Sequence, residues 1–104
     1  MVELEYNGKD LHLRDILFWD VDKGKLDPEG SRMLIIERVI TRGNLQEFTE
    51  LVNFYSRKEL ADAVVRIGYL DNRTLNFVSK YFNIPKKEFK CYIKKQSVRT
   101  HWNS

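Results

Sequence analysis

The first thirteen residues alternate between apolar and polar positions, with the period of two that is typical of a β-strand. The apolar positions are Val2, Leu4, Tyr6, Leu11 and Leu13. Asn7-Gly8 separates the two runs, and both residues accept the positive φ angles that a tight hairpin turn requires. The pattern predicts a small β-hairpin over residues 1–13. An extended arm is the alternative, because an isolated two-stranded ribbon is only marginally stable in water.

From Ser31 onward, apolar residues recur at spacings of three and four, which is the period of an amphipathic α-helix. Capping residues and helix stops divide this region into five predicted helices, over residues 31–43, 44–55, 56–68, 71–83 and 85–96. Two helices begin with a capping box, in which the first residue and a glutamate three positions later satisfy each other's N–H groups: Asn44 with Glu47, and Ser56 with Glu59.

The apolar face of each predicted helix supplies the predicted core. Its members are Met33, Ile36, Val39, Ile40, Leu45, Phe48, Leu51, Val52, Tyr55, Leu60, Val64, Ile67, Leu75, Val78, Phe82, Phe89, Tyr92 and Ile93. Short connections make successive helices neighbours around one core. We therefore predict an all-α single domain over residues 1–104, a compact bundle of about five short helices with the possible hairpin at its N-terminus.

Residues 74–95, which lie within the last two predicted helices, have the spacing of a helix-turn-helix pair. Ser79 is the small residue of the first helix, Asn83 is a tolerant left-handed break, and Pro85 occupies the first position of the second helix. Phe89 and Tyr92 would then dock the second helix on the first. In such a pair the outer face of the second helix enters the major groove of DNA.

The outer face of that second helix, with its extension, is basic. The candidate DNA-binding residues are Lys86, Lys87, Lys90, Lys94, Lys95 and Arg99. Residues 80–104 hold 7 Lys or Arg against 1 Glu, whereas residues 1–79 hold 11 against 14 acidic residues. Such a segment can bind the phosphates of double-stranded DNA, but lysines position a protein on DNA better than they read its bases. A solvated face or a match for an acidic partner surface explains the same charges.

Phe18 and Trp19 stand side by side within the sequence LFWD. Each side chain can bury a large apolar area, which predicts that at least one of them fills the end of the helical core. The alternative is an exposed anchor for a partner protein, because aromatic residues often dominate interfaces.

The remaining composition gives no sign of an enzyme, a cofactor or a metal site. Cys91 is alone and is expected to be a small buried hydrophobe. The segment from Asp20 to Gly30 resembles a calcium loop, but Gly24 and Ser31 occupy the wrong positions for one. The chain contains neither a membrane-spanning apolar run nor a signal-peptide pattern at its start, so we expect a cytoplasmic protein without membrane contact.

Three segments together resemble a family of small uncharacterised bacterial proteins: ILFWDVD, KLDPEGSRMLIIERVITRGNLQEF and YLDNRTLNFVSKYFNIPKKEFKCY. The resemblance covers about residues 16–92 and is most specific over Leu17–Asp20 and Ile35–Gly43. The family looks like one often encoded beside nucleotidyltransferase-type abortive-infection toxins. That association implies an antitoxin or regulatory role, with no catalytic residues to carry over.

Two hypotheses follow. In the first, the protein is a non-enzymatic, antitoxin-like regulator that binds DNA through residues 86–99. In the second, it is a protein–protein interaction module that binds and restrains a neighbouring toxin through Phe18 and Trp19 without contacting DNA.

Overall fold

The computed structural model describes residues 1–92 of the chain, which divide into two units. Unit 1 is Met1–Leu60, and the described part of unit 2 is residues 61–92. The described part is mostly helical and contains a two-stranded antiparallel sheet. The strands are β1 (Val2–Tyr6) and β2 (Lys9–Leu13), and the α-helices are α1 (Arg32–Arg42), α2 (Leu45–Phe54), α3 (Arg57–Val64) and α4 (Asn72–Phe82). Three short 3₁₀ turns cover Asp15–Phe18, Lys23–Lys25 and Lys86–Glu88.

The hairpin prediction is confirmed. Asn7 has φ 54° and Gly8 has φ 76°, so both turn residues take the left-handed backbone that joins two strands in two residues. The register places Leu4 opposite Leu11. Leu11 and Leu13 are fully buried, and β2 packs against α2, which gives the ribbon the support that it lacks alone.

Both capping boxes are confirmed in unit 1. Asn44 accepts a hydrogen bond from the N–H of Glu47, and the Glu47 carboxylate accepts one from the N–H of Asn44. Ser56 and Glu59 make the same exchange at 3.1 and 3.2 Å. One core prediction is wrong here, because Leu45 is exposed at the first position of α2. Met33 and Ile40 are only half-buried on α1.

The boundary between α1 and α2 depends on Gly43. Its φ of −77° is ordinary, so left-handed freedom is not what the position needs. A Cβ atom at this position would lie 2.6 Å from the carbonyl oxygen of Val39, which is closer than any side chain allows. The end of α1 therefore requires glycine, because the main chain of residue 43 lies too close to the Val39 carbonyl for a Cβ atom to fit.

Helix α3 ends at Val64, four residues before the predicted stop at Gly68. The chain tightens after Val64, because the N–H groups of Arg66 and Ile67 donate to carbonyls three positions back. The carbonyl of Val65 instead accepts a hydrogen bond of 2.8 Å from the N–H of Lys90. A partner distant in the sequence therefore contributes to the end of this helix.

Helix α4 ends as its sequence predicts. Asn83 takes the left-handed conformation with φ 55° and ψ 47°. The N–H of Ile84 donates to the carbonyl of Ser79 and that of Asn83 to Lys80, which together make a Schellman motif. The hydroxyl of Ser79 also donates to the carbonyl of Ile84, at 2.7 Å. Ser79 therefore closes the turn through its hydroxyl as well as being small.

The prediction that a helix begins at Pro85 is wrong. Pro85 has ψ 139°, which is extended backbone, and Lys86–Glu88 form a single 3₁₀ turn. Phe89 is again extended and fully buried, and α-helical backbone starts only at Lys90 and reaches Tyr92. The burial of Phe89 and the bond from Lys90 to Val65 interrupt the helix that the spacing indicated.

None of the helices in residues 1–92 combines the length and apolar character needed to cross a bilayer.

Candidate functional site

The 3₁₀ turn at LFWD sends its apolar residues in two directions. Leu17 and Phe18 are buried, whereas Trp19 is 70% exposed and Ile16 is 68% exposed. A 3₁₀ turn repeats every three residues, so Ile16 and Trp19 lie on the same edge of it. Phe18 therefore fills the core, as predicted for at least one residue of the Phe18–Trp19 pair. It is not an exposed anchor. Trp19 remains available as one.

Ile16 and Trp19 line an open groove of about 620 Å³. The buried Leu17 borders the groove, and Arg14 and Arg42 contribute two guanidinium groups. We call this the Trp19 groove. Its lining combines exposed apolar side chains with positive charge, which suits an apolar side chain that has a carboxylate beside it.

Arg14 is held in place by the buried carboxylate of Glu47, which is only 3% exposed. Glu47 accepts hydrogen bonds from the main-chain N–H of Arg14 at 2.9 Å, from its Nε at 3.2 Å and from its Nη2 at 3.0 Å. Burial disfavours the charged carboxylate, but the hydrogen bonds from Arg14 and Asn44 outweigh it, so the pKa of Glu47 lies below its ordinary value. One carboxylate thus caps α2 and anchors one wall of the groove.

A second ion pair fixes the turn that carries Trp19. Arg38 of α1 donates from Nη1 and Nη2 to the two carboxylate oxygens of Asp20, at 2.7 and 2.9 Å. Arg38 also donates to the carbonyl of Leu17, at 3.0 Å. The hydrogen bond from Arg38 holds the pKa of Asp20 below its ordinary value. This pair therefore joins the LFWD segment to the IIERV segment of α1.

Arg42 differs from the other two arginines of this region. It is exposed, and it forms no ion pair with the carboxylates of residues 1–92. Its guanidinium group can therefore offer two donors in a plane to an incoming carboxylate. Sequence reasoning missed Arg14, Ile16 and Arg42, and the only local signal was their proximity to LFWD and to the end of α1.

The basic candidates are only partly within the described residues. Lys86, Lys87 and Lys90 are all exposed. Lys86 and Lys87 lie on the 3₁₀ turn and Lys90 starts the following helix, so they do not form one face of a single helix. Lys94, Lys95 and Arg99 lie outside the described residues.

Two carboxylates in the acidic loop between Asp20 and Gly30 accept hydrogen bonds from the loop's own main chain. Asp22 accepts from the N–H of Gly24 at 3.0 Å, and Asp27 accepts from the N–H of Gly30 at 2.6 Å. In residues 1–92, no group of three or more His, Cys, Asp or Glu side chains could hold a metal ion. Cys91 is buried and unpaired, as expected of a small hydrophobe.

The described residues form a mostly helical protein whose Trp19 groove is lined by apolar side chains and two arginines. Residues 13–64 match the family of unknown function DUF6922, which is half of the chain, and the chain belongs to this family. No curated protein and no solved structure matches it. The matched segment contains every residue that lines the Trp19 groove, whereas the exposed lysines at 86, 87 and 90 lie beyond it.

Proposed function

We propose that this protein is a non-enzymatic binding module that restrains a partner protein by holding one of its segments in the Trp19 groove. The observation that carries the proposal is the exposure of Trp19 beside Ile16, on a turn that the Asp20–Arg38 pair ties to α1. Exposed apolar side chains at the centre of a fixed surface are typical of binding hot spots.

The chemistry of the groove defines the segment that it would hold. Trp19 and Ile16 favour an apolar side chain, and Arg42 favours an aspartate or glutamate next to it. Tryptophan and arginine are the residues that most often dominate the energy of an interface. The preferred segment is therefore apolar and acidic.

The family resemblance supports an antitoxin-like role. Because similar proteins look to be encoded beside nucleotidyltransferase-type toxins in bacteria, we propose such a toxin as the partner and the bacterial cytoplasm as the place of binding. In this role the protein acts by occupying the toxin, which requires no catalytic residue of its own.

Co-purification of the protein with the product of the neighbouring gene tests the proposal. Trp19→Ala should weaken the complex by about 2 kcal/mol, or roughly thirtyfold in Kd, because truncation removes the anchor. Tyr69→Ala is the matched control, since Tyr69 is 69% exposed but belongs to unit 2. Equal binding by the unchanged protein and the Trp19→Ala variant would contradict the proposal.

A charge reversal tests the acidic part of the proposed segment. Arg42→Glu should weaken the complex and make the remaining binding less sensitive to salt, because an attractive pair becomes repulsive. Lys58→Glu, an exposed position on α3, is the control for net charge. An equal loss in both variants would indicate a general electrostatic effect instead of a contact in the groove.

DNA binding is the second candidate, and the exposure of Lys86, Lys87 and Lys90 favours it. Changing all three to glutamine should reduce affinity for duplex DNA in a gel-shift titration. The slope of log affinity against log salt should fall by about one unit for each lost phosphate contact. The same change at three exposed lysines of unit 1, Lys23, Lys25 and Lys58, is the control. Unchanged binding by the variant in unit 2 would dispose of this candidate.

A further inference from the structure

We infer that the outer edge of β1 is a second binding site, which accepts an extended, basic segment of a partner protein as a third strand of the sheet. We call it the β1 edge, and its members are the main-chain groups of Glu3 and Glu5. The inference goes beyond the proposed function, because it rests on a different surface and does not require the Trp19 groove.

The hydrogen-bond register identifies which groups face outward. The N–H of His12 donates to the carboxylate of Glu50 at 3.1 Å, so it points away from β1. His12 pairs with Glu3 in the register, and directly opposite residues of an antiparallel pair point the same way relative to the ladder. The N–H and C=O of Glu3 therefore face outward. Those of Glu5 do too, because it lies two residues further along the strand.

The two edges of the sheet differ in the hydrogen bonds made by their outward-facing main-chain groups. On β2, the outward N–H of His12 donates to the carboxylate of Glu50, and the N–H of Arg14, the residue after the strand, donates to that of Glu47, both from α2. On β1, no side chain or loop of the part of the chain described donates to or accepts from the main chain of Glu3 or Glu5. An unpaired strand edge is a template for another strand.

Apolar cover is also incomplete on this side. Leu11 and Leu13 of β2 are fully buried, whereas Leu4 and Tyr6 of β1 are only half-buried on the same face. An added strand that carried apolar side chains at alternate positions would cover Leu4 and Tyr6. The geometry therefore offers hydrogen bonds and apolar contact together.

Charge selects the occupant. The opposite face of the ribbon bears the exposed carboxylates of Glu3, Glu5 and Asp10, together with the exposed imidazole of His12, which is hydrogen-bonded to Glu50. Lysine or arginine at the alternate positions of an added strand would pair with Glu3 and Glu5, whereas a second copy of β1 would set glutamates against glutamates. Like charges on neighbouring strands destabilise pairing, so the β1 edge favours a basic strand over its own copy.

A synthetic peptide provides the test. The probe is a capped heptapeptide in which lysine and valine alternate, and the readout is amide hydrogen exchange by NMR. The expected result is slower exchange of the Glu3 and Glu5 amides, by about tenfold at saturation, because both become hydrogen-bonded. Two control peptides have the same sequence with N-methyl groups on one or the other set of alternate residues, so that each lacks the N–H donors of one edge. Absence of protection, or equal protection by both N-methylated registers, would overturn the inference.

Variants of the protein separate strand pairing from general attraction. Glu5→Lys should reduce peptide affinity by roughly tenfold, because one attractive cross-strand pair becomes repulsive. Glu37→Lys makes the same change of charge on an exposed position of α1 and should leave affinity within about twofold. Unchanged exchange at Leu4 and Leu11 shows that the hairpin still forms. Equal losses in the two variants, or self-association of the unchanged protein through β1, would also overturn the inference.

Discussion

The two units of the chain use charged residues in opposite ways. Unit 1 holds 12 acidic and 9 basic residues, and many of them bind across elements. Glu47 of α2 holds Arg14, Asp20 holds Arg38 of α1, and Glu50 holds His12 of β2. Residues 61–92 of unit 2 hold 6 basic and 3 acidic residues, and the lysines at 80, 86, 87 and 90 are exposed.

Packing in unit 2 relies on a row of buried apolar side chains: Leu70, Leu75, Val78, Phe82 and Phe89. A main-chain hydrogen bond from the N–H of Lys90 to the carbonyl of Val65 joins the segment after Phe89 to the residue that follows α3. Carboxylates therefore act as acceptors between elements in unit 1, whereas in unit 2 Arg66 pairs with Asp62 only four positions away and the lysines at 80, 86, 87 and 90 are exposed. Changes to each kind of contact should therefore affect one unit more than the other.

Acid should have the largest effect, because it removes several contacts of unit 1 together. Carboxyls with lowered pKa values are Asp15, beside the N-terminal ammonium; Asp20, beside Arg38; Glu47, bonded by Arg14; and Glu59, bonded by Ser56. A carboxyl group whose pKa is lower in the folded state than in the unfolded state stabilises the fold. That stabilisation is fully present at pH values above the unfolded pKa, which is 3.8 for Asp and 4.5 for Glu. That stability is lost as pH falls through the folded values.

Methyl NMR signals followed from pH 6 to pH 2 measure this effect unit by unit. Signals of Leu11 and Ile35 in unit 1 should broaden or shift at higher pH than those of Leu75 and Val78 in unit 2. A single transition shared by all of these methyl groups would remove the distinction between the units.

Phe89→Ala should give the largest loss among single substitutions. Phe89 is fully buried in unit 2, and truncating a buried phenylalanine costs about 4 kcal/mol because transfer energy is lost and a cavity remains. Chemical denaturation measures the change. Phe77→Ala is the control, since this phenylalanine is nearly half exposed and should cost less than half as much. Equal costs would contradict the placement of Phe89 in the core.

Glu47→Ala should cost about 3 kcal/mol, because it leaves a guanidinium and two main-chain N–H groups without their buried acceptor. Exchange protection should fall first at Asn44 and Arg14. Glu50→Ala is the control, because its bonds to His12 are closer to solvent, and its cost should stay below about 1 kcal/mol. A small cost for Glu47→Ala would mean that unit 1 does not depend on its carboxylates.

Local signals predicted much of the fold. The Asn7-Gly8 turn, the two capping boxes and the left-handed Asn83 each depend on residues within a few positions of one another. Their physical causes are backbone conformation and short-range hydrogen bonds, which a sequence displays directly. The helical and strand periods likewise reported which faces are buried.

Distant partners explain what the sequence did not reveal. The early end of α3 and the interrupted segment after Pro85 meet in a bond between Val65 and Lys90, residues that are far apart in the chain. Arg14 and Glu47 are 33 positions apart, and Arg38 and Asp20 are 18 apart. No periodicity marks such pairs, so the support beneath the Trp19 groove became visible only in three dimensions.

The smallest predicted effect is the loss of stability when a left-handed asparagine is changed to alanine. It should be the same in both units, so it tests whether the units differ only in how they use charged residues. Asn7 in unit 1 and Asn83 in unit 2 share a left-handed backbone, with φ values of 54° and 55°. Asn→Ala at either position should cost about 1 kcal/mol, because a Cβ in that conformation approaches the following carbonyl and alanine lacks the local bonds that help asparagine tolerate it. Asn→Gly should cost nothing or stabilise slightly.

Thermal unfolding of the four single variants measures these differences, with the glycine variant as the control for each alanine variant. The strain at each turn is local and does not involve the carboxylates of unit 1 or the apolar row of unit 2. The alanine-minus-glycine difference should therefore agree between the units within about 0.5 kcal/mol. A much larger difference at Asn7 would mean that backbone strain, as well as side-chain charge, distinguishes the two units.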